Sequence, residues 1–307
     1  IATNATSLGT TDGATTIADG AYLKLSNGIN VAEAITISGT GISNSGVIQS
    51  NSGDNTLSGQ ITLAAHSAIY SNSGTLTLNV SSNSSITASN KNITFDGAGN
   101  ITVNDPITTG SGTLTKSGSG TLTLSGTNTY TGTTTINTGT LKISADNNLG
   151  NPNTLDADRL VLNGGTLQTT SDLTLHNNRG ITLNANSTIN VDSGTTLTYG
   201  GIIAEQSSEN NGYTKSGDGT LTLTGNNTYD GATVISNGVI TITHANGLGS
   251  TTGATSITSG ASLSISGGIT VAEAITINGT GHSSGGAIIF TANDNTYSGA
   301  ITLGSTS

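Results

Sequence analysis

The sequence predicts an all-β fold, a right-handed single-stranded parallel β-helix (β-solenoid), and three observations carry that reading. Apolar residues come in alternating couplets, glycine and other turn formers separate them, and whole modules of the chain return at long, fixed offsets. A repeat of about 20 residues over this length gives about 15 rungs, one continuous β-helix over residues 1–307.

The couplets come first. Thr121-Leu122-Thr123-Leu124 and Leu141-Lys142-Ile143 alternate apolar with polar, the period of a strand with one buried face. Similar pairs recur at Ile61/Leu63, Leu76/Leu78, Ile93/Phe95, Leu173/Leu175, Ile181/Leu183 and Leu263/Ile265. No long stretch has helical periodicity. Couplets are too short for a free-standing sandwich sheet, but they suit a coil in which each strand pairs with its equivalent one turn away. This places Leu122, Leu124, Leu141, Ile143, Leu221, Leu223, Ile240 and Ile242 inside, and Thr121, Thr123 and Lys142 outside. Stacked Asn and Thr are expected to form ladders between rungs.

The repeats come next. Leu8–Leu63 aligns without a gap to Leu248–Leu303, an offset of 248 − 8 = 240, with 34 of 56 positions identical. Lys116–Gly150 aligns to Lys215–Gly249, an offset of 215 − 116 = 99, with 20 of 35 identical. Reiterating a module lengthens a scaffold without building a unique pocket.

Composition bounds the function. Charged residues make up 8% of the chain, against roughly 25% in an average soluble domain. A formal net charge of −10 with seven Lys and Arg excludes nucleic acid as a partner, because the phosphate backbone calls for clustered cations. The chain has no Cys, which suits export through an oxidising compartment. With no initiator Met, no signal peptide and a pattern cut at both Ile1 and Ser307, it reads as a piece of something longer.

At its two copies of GxGTLTLxGxNTYxGxTxI the sequence resembles the passenger-associated transport repeat of autotransporters. The matching positions are Gly118, Gly120–Leu124, Gly126, Asn128–Tyr130, Gly132, Thr134 and Ile136, then Gly217, Gly219–Leu223, Gly225, Asn227–Tyr229, Gly231, Thr233 and Ile235. The resemblance implies a passenger of a Gram-negative autotransporter, folded outside the cell and anchored in the outer membrane only through parts outside this chain. It places Leu122, Leu124 and Tyr130, with Ile136 and their equivalents Tyr229 and Ile235, in the structural core, and Gly126 and Gly132 at corners.

Chemistry is sparse. Gly281-His282-Ser283-Ser284-Gly285 matches the nucleophile-elbow pattern, but glycine and serine are abundant enough for a chance match, and no helix follows. Charge is dense only around Asp156, Asp158, Arg159, Asp172, His176 and Arg179, where both arginines of the chain fall. Carboxylates about 20 residues apart could share a face on adjacent rungs, as carbohydrate-cleaving or ion-binding grooves require. The competing reading is a solvated loop whose arginines pair with their neighbours. Asp156, Asp158, Arg159, Asp172 and Arg179 are therefore ligand-contact candidates, and no catalytic residue is assigned. His66, His176, His244 and His282 are widely spaced and form no metal motif. No metal or other cofactor is expected.

The expected function is a secreted or cell-surface structural or adhesive rod without enzyme activity. Its partners would be further copies or host and neighbouring cell surfaces, glycans included. A polysaccharide-processing β-helix enzyme, or a passive stalk for an activity elsewhere in the parent chain, are the alternatives.

Overall fold

A computed structural model of the chain describes residues 1–81, 83–206 and 209–304, and Ser307 lies outside the described residues. It contains two compact units, Ile1–Ile143 with Asn147–Asn151, and Ser144–Asp146 with Pro152–Ser307.

In the first unit the strands Asn30–Val31, Asn55–Leu57, Thr75–Leu78, Asn100–Val103, Thr121–Leu124 and Thr140–Ile143 stack in that order, each parallel to the next. A second face runs through Thr15–Ile17, Ile35–Gly39, Ile61–Ser71, Ile93–Asp96, Leu114–Lys116 and Thr134–Ile136. The register superposes like on like. Ile101, Leu122 and Leu141 form one inward column, while Thr77, Thr102 and Thr123 form an outward one. Strands of three or four residues persist because each pairs with the turns before and after it.

The second unit repeats the plan. One face carries Thr166–Thr169, Ser187–Val191, Tyr213–Ser216, Thr233–Ile235, Thr255–Ile257, Ile275–Ile277 and Ile301–Leu303. Another carries Leu173–Leu175, Thr196–Tyr199, Thr220–Leu223, Gly238–Ile242, Ala261–Ile265 and Ile288–Phe290, and a third carries Asp156–Asn163, Arg179–Ala185 and Ile203–Glu205. Apart from strands, the described residues hold only three 3-10 turns.

The fold is thus an all-β parallel solenoid, with about 12 turns instead of about 15. The difference lies in turn length. Leu122 to Leu141 advances 141 − 122 = 19 residues, but Ile35 to Ile61 advances 61 − 35 = 26. The longer turns loop out extra residues at corners, such as the 3-10 turn Ile42–Asn44.

The core is thin and aliphatic. Leu122, Leu124, Tyr130, Ile136, Leu141, Ile143, Leu221, Leu223, Tyr229, Ile235, Ile240 and Ile242 are all buried. Removing one such aliphatic side chain from water contributes about 1.5–3 kcal/mol. Thr121, Thr123 and Lys142 are half-buried on the outer face.

Side-chain bonds link some Asn residues to their counterparts one turn away. Asn104 donates to Asn79 at 3.2 Å and Asn246 to Asn226 at 2.9 Å. More often an Asn side chain binds backbone one turn away, as where the Ile29 and Thr121 N–H groups donate to Asn55 and Asn100 at 3.0 Å. A peptide N–H left over at a corner needs an acceptor, and a carboxamide one turn away supplies it.

Candidate functional site

The repeated element is the place to look first, since its side chains are specified twice. In each copy the Asn of Asn-Thr-Tyr is a buried staple. Asn128 Oδ1 accepts the Ile107 N–H at 2.7 Å while its Nδ2 donates to the Asn148 carbonyl at 2.5 Å. Asn227 does the same with the Ile203 N–H at 2.9 Å and the Gly247 carbonyl at 2.7 Å. The tyrosine that follows is buried, its hydroxyl hydrogen-bonded to Thr134 at 2.8 Å in the first copy and to Thr233 at 2.7 Å in the second. One buried amide and one buried hydroxyl per repeat are therefore hydrogen-bonded within the chain.

The lysine that opens each element is the more unusual group. Lys116 Nζ donates to the carbonyls of Ser117, Gly118 and Thr138 at 2.6, 2.7 and 3.2 Å. Lys215 Nζ donates to those of Ser216, Gly217 and Asn237 at 3.0, 2.7 and 3.0 Å. An ammonium has three donors and no acceptor, so each cage uses its full capacity. Gly118 and Gly217 turn the chain around the ammonium at φ of 73° and 74°, which favours glycine. Burial pushes both lysines down to about 8, against the pull of Asp96 on Lys116 and of Asp218 on Lys215.

Gly126 and Gly132 serve differently from Gly118 and Gly217. Neither has a positive φ. A Cβ on Gly126 would strike the Asp105–Pro106 backbone, and one on Gly132 the Gly112 backbone. Close approach between turns fixes glycine there.

The charge cluster is a correction to the reading of a solvated loop. Arg159 and Arg179 are buried, at 4% and 0% exposure. Arg179 Nε donates to Asp146 Oδ1 at 2.9 Å, and its Nη2 to Oδ2 at 3.2 Å and to the Asp146 carbonyl at 3.1 Å. The same Asp146 carboxylate accepts the His176 backbone N–H at 3.1 Å. Arg159 reaches Asp156 at 3.4 Å. The remaining carboxylates are spent one by one: Asp158 accepts from the Thr182 hydroxyl at 2.6 Å, and Asp172 from the Thr196 N–H at 2.7 Å. Asp156 and Arg159 meet, and Arg179 joins Asp146 instead. Among the described residues no three His, Asp or Glu side chains gather as a metal site would need.

The elbow-like Gly281–Gly285 forms a 3-10 turn, His282–Ser284, with Ser283 at φ 49°. The matching turn Ile42–Asn44 has the same shape, with Ser43 at φ 53°, and carries Ile42 in place of His282. A conformation kept without the histidine is a feature of the corner.

Two buried carboxyls complete the inventory. Glu33 and Glu273, equivalent in the 240-residue repeat, are 6% and 4% exposed and accept from Thr15 at 2.5 Å and Thr255 at 2.6 Å. Sequence reasoning passed over Glu33, Glu273, Lys116, Lys215 and Asp146. For the first four the signal was present: Glu33 is in phase with Val31 and Ile35, and Lys116 with Leu114, so period two places both inside.

Comparison with known proteins points the same way as the repeats. The family described as Passenger-associated-transport-repeat matches residues 114–143 and 214–242. A curated relative, the adhesin BmaC autotransporter of Brucella suis biovar 1 (strain 1330), is 35% identical over 140 residues, which is 45% of this chain and 4% of that protein. No solved structure gives a significant match.

Proposed function

We propose that the chain is a segment of an autotransporter passenger domain carrying two passenger-associated transport repeats, and that it is a non-enzymatic adhesive scaffold, secreted or displayed at the bacterial cell surface. The observation that carries this reading is where the polar chemistry of the repeats goes. The caged lysines, the stapling asparagines and the buried tyrosines all bind the chain's own turns. A catalytic centre needs such groups converging on a cleft, with capacity left for substrate. The outward columns of Thr, Ser and Asn instead offer a repetitive, weakly charged face, suited to many shallow contacts with a neighbouring cell surface. The similarity to a protein named an adhesin supports the same role.

Display of this chain behind a heterologous autotransporter barrel on a non-adherent bacterium tests it. The displayed chain is expected to raise attachment to host cells, or between bacteria, above that of the barrel alone. Attachment equal to the barrel alone, with display verified by antibody, overturns the adhesive role. Turnover of a polysaccharide by the purified chain overturns the non-enzymatic one.

A further inference from the structure

Large aliphatic side chains on the outside are rare in this chain, and two of them share one concavity. Leu155 is 75% exposed and Ile202 is 51% exposed. They belong to turns two steps apart, because Arg179–Ala185 pairs with Asp156–Asn163 on one side and with Ile203–Glu205 on the other. At about 4.8 Å per step, the two walls stand on backbones roughly 10 Å apart. The turn between them contributes Gly180, where a Cβ would run into the Ala157 backbone. Ala157 and Ala204 continue the walls, and the Asn177 carboxamide supplies a polar group at the rim. The result is a slot of about 310 Å³ with an apolar lining. That size falls within the range of small-molecule sites, which are concave, mostly apolar and marked by few polar groups.

Charge narrows the ligand. No ionisable side chain lines the slot, so a charged ligand would lose hydration without a counter-charge. On the same three strands the cations Arg159 and Arg179 are buried, while Asp158 is exposed and Glu205 is partly exposed. The solvent-facing charges of these strands are thus acidic.

We propose that the slot between Leu155 and Ile202 is a binding site for a small, uncharged, apolar molecule. This inference stands apart from the adhesive reading, since neither requires the other.

Titration of the full chain with the neutral fluorophore N-phenyl-1-naphthylamine tests it. A saturable, one-to-one rise in fluorescence is expected. Leu155→Asp and Ile202→Asp, both at exposed positions, should each weaken it by roughly tenfold or more while leaving the far-ultraviolet circular dichroism unchanged. Ile42→Asp, at an exposed position of the other unit, should leave binding intact. The anionic analogue 8-anilinonaphthalene-1-sulfonate should bind more weakly than the neutral probe. Absence of saturation, equal binding by the two aspartate variants and the parent, or preference for the anion would each overturn the proposal.

Discussion

Replacing Glu273 with glutamine is expected to abolish a pH dependence of stability in the second unit. The Glu273 carboxyl is 4% exposed and accepts one hydrogen bond, from Thr255 at 2.6 Å. The titratable groups facing it are Tyr213, Tyr229 and Tyr297, whose hydroxyls its charge would push up. Tyr213 and Tyr229 pack edge to face with centroids 5.6 Å apart, so little water reaches the carboxyl from that side. Burial raises its pKa from 4.5 to about 7, with the Thr255 bond pulling the other way. The folded chain therefore holds this proton more tightly than the unfolded chain does. The resulting stabilisation is complete below pH 4.5 and is lost as pH rises through about 7. The gap corresponds to about 3–4 kcal/mol. Urea denaturation from pH 4.5 to 8, with hydrogen exchange read over Thr255–Ile257 and Ile275–Ile277, measures it segment by segment. The wild type should lose stability across that range, and Glu273→Gln should lose markedly less. A wild type that is flat from pH 5 to 7, or a glutamine variant as pH-dependent as the wild type, would refute the reasoning.

Other substitutions probe the remaining devices. Lys215→Met leaves the Ser216, Gly217 and Asn237 carbonyls without their donor and should cost about 2–4 kcal/mol in urea denaturation, with Lys116→Met costing a similar amount. Leu122→Ala, at a fully buried site, should cost about 2–5 kcal/mol, whereas Thr123→Ala on the outer face should stay within about 0.5 kcal/mol; equal losses would contradict the register. Arg179→Ala strands the Asp146 carboxylate and should destabilise by about 3–5 kcal/mol, a far larger effect than Asp158→Asn, whose side chain is exposed.

Much of this architecture is legible in the sequence because a solenoid repeats its physics every turn. Alternation marks Leu122 and Leu124 as inward, and the pairing of Leu122 with Leu141 follows from two couplets separated by one short turn. The turn count is less legible. Corner loops are built from the same Gly, Asn and Ser whether a turn spans 19 residues or 26, so nothing local announces the longer ones. The charged residues were misjudged for a different reason. Composition suggests that Asp, Glu, Lys and Arg stay in solvent, and that habit hides Glu33 and Lys116 although their phase puts them inside. Arg179 shares that phase with Ile181 and Leu183, but no local pattern points to what it pairs with. Its partner Asp146 lies 179 − 146 = 33 residues earlier, at a separation that only the coiling of the chain brings together.

A solenoid stacks its turns in parallel at a constant rise, and spin labels measure that directly in a chain without native cysteine. Asn30, Thr56, Thr77, Thr102, Thr123 and Lys142 form one outward column of the first unit, each the partner of the next. Nitroxides on cysteines at Asn30 and Thr123 span four steps, and those at Asn30 and Lys142 span five. Pulsed electron resonance should give separations of about 19 Å and 24 Å, a step of about 4.8 Å for one added turn. Equal distances for the two pairs, or a shorter one for the second, would show that these strands do not stack in sequence order and would contradict the solenoid.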